Sequence, residues 1–315
     1  MGYLFLLLSV ISGAVKGFFA KKVSDKTSGI KGSVFSNFIR MLFCIPIGLL
    51  FVLFDGALPS LAVSGTVLLI SALAGVSTSI FIVFWLLSVK TSAYTSVDTF
   101  ISLGIVIPIL LSYLFYDEAV ALSQIIGLLF LFGAVVIMSM YNNQVKQKMT
   151  ANSLFLLIIV GISNGFTDFA YKIFQYNKAD TPVSVFNFYI YVFSALTLLL
   201  VYAFLHFKAV LASRVEPSCK SREAEQTQED APLFDKRKTV YIFIMAVFLF
   251  CNSYFKTLAT ARLPAVQVYP LAQGAAIVLA LLMSGVFFKE KIKPLCIVGL
   301  ITLFISLLFI NVIVF

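Results

Sequence analysis

Five ionisable residues lie inside long apolar runs of this chain: Lys16, Arg40, Asp98, Asp168 and Lys256. Two of them are carboxylates and three are cations, and none has a charged neighbour next to it in sequence. A charge inside a hydrocarbon-facing helix is costly, so such residues face a cavity, a partner, or both. Their types suit two kinds of chemistry: holding a charged solute, or forming ion pairs that close and open. The chain has a single histidine, His206, at the end of an apolar run, and no loop with two aspartates at metal-ligand spacing. It also has no Gly-rich, phosphate-cradling loop of the kind that ATP-driven pumps need. No cofactor is expected.

The elements that must position these charges are membrane spans. The chain is 61% hydrophobic and only 12% charged, with a mean hydropathy of +1.03. Soluble domains carry roughly twice that charged fraction. Apolar runs of about 17–25 residues follow one another from Tyr3 to Phe315, and roughly 20 suffice to cross a bilayer core as a helix. The pattern predicts an all-α polytopic protein with ten spans, at about 3–20, 33–54, 63–88, 92–115, 121–141, 153–172, 183–207, 239–259, 264–288 and 294–314. The first run has no basic n-region and no small-residue cleavage site, so it reads as a retained span. Residues 208–238 are polar and aperiodic, and predict a flexible loop between the seventh and eighth spans. The net charge of +9 sits in short loops beside the spans. There it sets topology and meets anionic lipid headgroups, not nucleic acid. Cys44, Cys251 and Cys296 lie in apolar runs and Cys219 is alone in the polar loop, so no disulfide framework is expected.

The chain repeats itself. Tyr3-Leu-Phe-Leu-Leu opens the first span and Ser153-Leu-Phe-Leu-Leu the sixth; at that shift Ser12 meets Ser163 and Lys21 meets Lys172. Phe115-Tyr-Asp-Glu118 matches Phe287-Phe-Lys-Glu290, and Gly127 then falls on Gly299. Five spans per unit is an odd number, so the halves, 1–145 and 146–315, are expected to be an inverted repeat with a site near the midplane.

Three stretches carry a family resemblance. They are Asn37-Phe-Ile-Arg40-Met-Leu; Gly75 through Lys90-Thr-Ser-Ala93, followed by Pro108, Glu118 and Gly127; and Leu263-Pro-Ala through Glu290 and Gly299. In their order and spacing they resemble the drug/metabolite transporter superfamily, in particular its ten-span EamA-like permeases. The resemblance implies two packed five-span bundles. Spans one to four and six to nine would line a central cavity, five and ten would lie outside, and a solute would cross by alternating access. The chain departs from the family twice. Ser12-Gly-Ala-Val-Lys16-Gly-Phe stands where the family usually has a Trp in the first span. And connections 1–2, 3–4, 5–6 and 9–10 hold Lys21, Lys22, Lys26, Lys31, Lys90, Lys146, Lys148, Lys289, Lys291 and Lys293, against Lys172, Lys178 and Arg262 opposite. That asymmetry puts both termini outside, whereas the family usually has them inside.

Depth along the spans sorts the charges into two opposite-charge pairs. Lys16 and Asp98 fall one to two turns from one surface, and Asp168 and Lys256 near the other. They read as a gate or substrate site at opposite ends of the cavity, against a static salt bridge or lysines snorkelling to headgroups. Arg40 reads as a helix-packing or interfacial Arg. Glu118 and Glu290 read as carboxylates at the N-terminal ends of spans five and ten. Of the aromatics Trp85, Tyr94, Tyr171, Tyr189, Tyr254 and Tyr269, the expected cavity residues are Tyr254, two residues before Lys256, and Tyr269, next to Pro270; Gln267 and Gln273 are weaker lining candidates. The expected function is secondary transport of a small polar solute, amino-acid-like or an amine, in a plasma (bacterial inner) membrane. Proton coupling and a monomeric or homodimeric state both stay open. The alternatives are a membrane-embedded lipid-modifying enzyme and a non-transporting scaffold or sensor.

Overall fold

The computed structural model describes residues 1–116, 121–145, 150–177, 181–215, 235–263, 265–287, 289 and 293–311. These are helical throughout their length apart from short links, with no strand among them. The helices are α1 (Gly2–Asp25), α2 (Gly29–Phe54), α3 (Gly65–Thr91), α4 (Tyr94–Ser102), α5 (Val106–Tyr116), α6 (Leu122–Val145), α7 (Ala151–Tyr176), α8 (Val183–Val215), α9 (Lys236–Thr260), α10 (Ala265–Val286) and α11 (Pro294–Asn311). α4 and α5 together make the fourth span. Eight stretches are long and apolar enough to cross a membrane, and shorter apolar helices occupy Gly274–Met283 and Pro294–Ile310. Outward faces carry Leu69, Leu129, Phe115 and Leu200, all strongly exposed, as a lipid-facing surface requires.

Local chemistry sets the ends. Gly29 and Gly56 take positive φ, +57° and +64°, and let the chain turn after α1 and after α2. Asp235 caps α9 by accepting from the Arg237 N–H at 3.0 Å. The fourth span breaks into a 3₁₀ turn at Leu103–Ile105. Pro108 lacks the N–H that would bond the carbonyl of Gly104, four residues back, so the helix loosens there. Residues 208–215, expected in the flexible loop, instead extend α8, and 235–238 belong to the α9 cap and first turn; 216–234 lie outside the described residues.

In lipid, helices associate by close packing of small residues and by interhelical hydrogen bonds, because burying apolar surface gains nothing there. The crossings show this. A Cβ on Gly161 would lie 2.4 Å from the Phe100 carbonyl, and one on Gly104 would lie 2.7 Å from the Gly161 carbonyl. Only glycine lets α4 and α7 approach so closely. Gly127 sits under Ile310 of α11, and Gly299 sits under Met138 of α6; Ser306 Oγ donates to the Gly127 carbonyl at 2.7 Å. The main interhelix pairings are α1 with α9, α3 with α7, α2 with α8 and α6 with α11, with α4 meeting α10. The core is thus built largely between the first five spans and the last five.

Candidate functional site

A cavity of about 170 Å³ opens between α1, α3, α4, α7, α9 and α10. It is smaller than the roughly 300–1,000 Å³ of pockets that hold drug-sized ligands, so it suits a small solute. Its wall carries four charged side chains: Lys16, Asp98, Asp168 and Lys256. α2 and α8 contribute no lining residue. The resemblance had placed spans two and seven on the cavity, but these two helices pack on each other behind the wall. α6 and α11 likewise pair with each other away from it.

The second-half pair is closed. Lys256 Nζ donates to Asp168 Oδ1 at 2.6 Å, with the two side chains 19% and 4% exposed. Asn164, one turn before Asp168 on α7, donates to Asp168 Oδ2 at 3.4 Å. Next to Lys256, Ser253 accepts from the Tyr191 hydroxyl at 2.8 Å. This pair is a buried, hydrogen-bonded contact between α7 and α9, so neither residue snorkels.

The first-half pair is open. Lys16 and Asp98 line the same cavity, yet no ion pair within 4.0 Å joins them among the described residues. Lys16 instead holds its ammonium 5.3 Å from the centre of the Trp85 ring, a cation–π contact. It lies within electrostatic reach of Arg40, Asp98 and Lys256. The expectation of two pairs at opposite ends therefore gives way to four charges around one cavity. The reason is helix length. α1 continues to Asp25, which puts Lys16 nine residues, about 14 Å, from its end. α7 continues to Tyr176, which buries Asp168 about 12 Å from its end.

The aromatic expectations sort differently. Trp85, Tyr94 and Tyr171 line the cavity. Tyr254 does not: its hydroxyl donates to the Asp55 carboxylate at 3.1 and 3.2 Å, and its ring packs on Phe51 at 4.9 Å. Residues two apart on a helix point away from each other, so Tyr254 must turn its back on Lys256. Tyr189 donates to the Leu61 carbonyl at 2.7 Å. The side chains of Gln267, Tyr269 and Gln273 on α10, together with Glu118 and Glu290, lie outside the described residues. Arg40 is 1% exposed. That places it inside the bundle, packed among helices.

Neutral polar residues complete the site, and the sequence reading passed over them. Ser9 Oγ donates to the Asn252 carbonyl at 2.9 Å, and Asn252 Nδ2 donates to the Ser9 carbonyl at 2.8 Å and to Ser9 Oγ at 3.1 Å. This reciprocal clamp joins α1 to α9 on the cavity wall. The missed signal was amides inside apolar runs: an amide is cheaper to bury than a charge, but it still needs a partner.

Residues 1–140 match the EamA-like transporter family. No curated protein matches the chain. Among solved structures, a chain described only as "Crystal structure of protein" overlays with a TM-score of 0.62 at 12% identity, over 98% of this chain and 94% of its own. At that identity the likeness speaks for the fold alone.

Proposed function

Through residues 1–140 the chain belongs to the EamA-like transporter family, within the drug/metabolite transporter superfamily, and on that premise we propose that it is a secondary transporter of a small polar solute, amino-acid-like or an amine, working by alternating access. One observation carries the reading: the cavity presents an open cation and an open carboxylate, Lys16 and Asp98, beside a closed pair, Asp168–Lys256. Open charges of both signs in a small, largely apolar chamber are a receptor for a small charged or zwitterionic molecule. The closed pair supplies an element that can break as the other side of the cavity opens. Asn252 and Ser9 tie α1 to α9, across the seam along which such a motion must slide.

The reading includes an inverted repeat of 1–145 on 146–315. The helix pairings support it, because they map onto themselves when the halves are exchanged: α1–α9 becomes α3–α7, while α2–α8, α6–α11 and α4–α10 each return to themselves. It also includes a plasma-membrane location, bacterial inner membrane by type, with both termini outside and residues 208–238 in the cytoplasm. An impermeant thiol reagent applied to intact cells tests that orientation. Labelling from outside of a cysteine placed in 216–234 overturns it.

The functional test is a thermal-shift screen of the purified protein against amino acids, amines, nucleosides and sugars, followed by uptake into proteoliposomes. An amino acid or amine should raise the melting temperature of the wild type, and less so of Asp98→Asn. A solute that binds undiminished to both Asp98→Asn and Lys16→Met would remove the cavity from the reading.

A further inference from the structure

Among the described residues Arg40 is a cation without a counter-charge. It lies midway along α2 and is 1% exposed. Its Nε, Nη1 and Nη2 find no hydrogen-bond acceptor among the described residues. A guanidinium carries five N–H donors and stays protonated in a protein, so burying it unpaired is among the costliest arrangements a fold can hold. The polar groups nearest it in electrostatic terms include Cys44 and Tyr191. Neither is an anion in its ordinary state, and the Tyr191 hydroxyl already donates to Ser253.

Its position ties it to the cavity. Met41, the next residue of α2, and Cys44, one turn on from Arg40, pack in one cluster with Ile82 and Leu249, and Ile82 and Leu249 line the cavity. Arg40 therefore stands one layer behind the wall. Lys16, on the wall, is within electrostatic reach of Arg40. The charges in and behind the cavity are then three cations, Arg40, Lys16 and Lys256, and two carboxylates, Asp98 and Asp168. Lys256 and Asp168 satisfy each other at 2.6 Å. Two cations remain facing one carboxylate in a water-poor interior, where like charges repel strongly.

We propose that Arg40 and Lys16 together form the anion-receiving end of the site, so that the solute carries a carboxylate and a simple amine is excluded. This rests on the transport reading and narrows its solute class. The carboxylate of the solute goes to Lys16 on the wall, with the positive charge of Arg40 behind it adding to the attraction, and an ammonium group, where the solute has one, faces Asp98. An amine without a carboxylate would bring a further positive charge to a cluster that already holds one in excess.

The test uses three matched compounds on the full-length purified protein: leucine, 4-methylpentanoate and isopentylamine. They share an isopentyl chain and differ in the charged groups it carries. Thermal shift and titration calorimetry are read for wild type, Arg40→Met and Lys16→Met. The carboxylate-bearing compounds should stabilise the wild type and the amine should not. Arg40→Met should raise the melting temperature of the free protein, because it removes an unpaired buried charge, while weakening carboxylate binding at least tenfold. That combination separates a binding role from a structural one. An Arg40→Met protein that melts lower than wild type or does not fold, binding of the amine alone, or stabilisation of wild type by chloride alone at constant ionic strength would each overturn the proposal. If none of the three stabilises the wild type but a nucleoside or sugar from the wider screen does, the transport reading stands and the carboxylate assignment falls. If nothing in the wider screen binds, the transport reading itself fails.

Discussion

Replacing Asp168 by Asn removes one charge from the only buried ion pair that the described cavity residues form, and its consequences can be worked through. The Asn side chain keeps the size of Asp and can still meet Asn164, which donates to Asp168 Oδ2 at 3.4 Å. What it cannot do is balance Lys256, whose ammonium sits 2.6 Å from Oδ1 with its side chain 19% exposed. Stranding one member of a buried pair costs about 3–5 kcal/mol. At roughly 1.4 kcal/mol per factor of ten, any state in which the pair is closed loses between about a hundredfold and a few thousandfold against a state in which Lys256 reaches water. Two assays read this. Melting of detergent-purified Asp168→Asn should fall, and the double variant Asp168→Asn/Lys256→Met, which removes both charges of this pair, should recover most of the loss. Uptake into proteoliposomes of the solute found by thermal shift should be crippled in both, because neither can cycle between a closed and an open pair. Unchanged melting in the single variant would refute the burial argument. Wild-type uptake in the double variant would refute the gating role even with the geometry intact.

Three further outcomes follow from particular contacts. Lys26 Nζ reaches Asp235 Oδ2 at 2.5 Å, and this contact, with the Arg237 N–H, holds the exposed Asp235 carboxyl below its ordinary value. A lowered carboxylate stabilises the fold at pH values above the ordinary one and loses that contribution as pH falls through the folded one. Melting should therefore be insensitive to this link between pH 5 and 9, and Lys26→Ala should shrink the acid-side fall that begins below about pH 4. A Cβ at Gly161 would meet the Phe100 carbonyl at 2.4 Å, whereas one at Gly133 meets nothing within 4 Å. Gly161→Val should then lose folded protein in size-exclusion yield, by a strain of at least about 1–3 kcal/mol, while Gly133→Ala is tolerated. Tyr254→Phe deletes the hydrogen bonds to Asp55 and should lower melting slightly with no change in solute affinity; altered affinity would return Tyr254 to the site.

The sequence disclosed what is expensive and concealed what is cheap. Charges inside apolar runs are costly enough to announce themselves, and Asp168 and Lys256 do meet, though Asp168 lies eight residues before the end of its helix and Lys256 four before the end of its own. Depth was misplaced in both halves, and Lys16 and Asp98 do not meet. Apolarity marks where a run becomes polar, not where its helix ends, and α1 runs on through Lys21 and Lys22 to Asp25. Facing was lost at Tyr254 for want of one rotation, since nearness in sequence is not nearness on a helix surface. Partnering was beyond reach altogether: nothing in the order of residues tells that Asn252 clasps Ser9 while Arg40 clasps nothing.

The contrast between the halves is where these observations meet. Under the proposed repeat, the first and third spans correspond to the sixth and eighth. Lys16 then falls beside the position of Asp168, and Trp85 beside that of Lys256. One half fills this place with a carboxylate on an ammonium at 2.6 Å, the other with an ammonium 5.3 Å from the centre of an indole ring. An aromatic face steadies a cation by about 0.5–2 kcal/mol, enough to hold Lys16 in place and too little to compete with a carboxylate. A second closed pair here would take Lys16 away from any solute. On the proposed transport reading the closed pair is the element that switches and the open Lys16 the one that binds, and the indole of Trp85 holds Lys16 away from a carboxylate. Trp85→Glu should thus close the second pair, raise the melting temperature of the free protein and abolish solute binding together; retained binding in that variant would break the link between the open charge and the site.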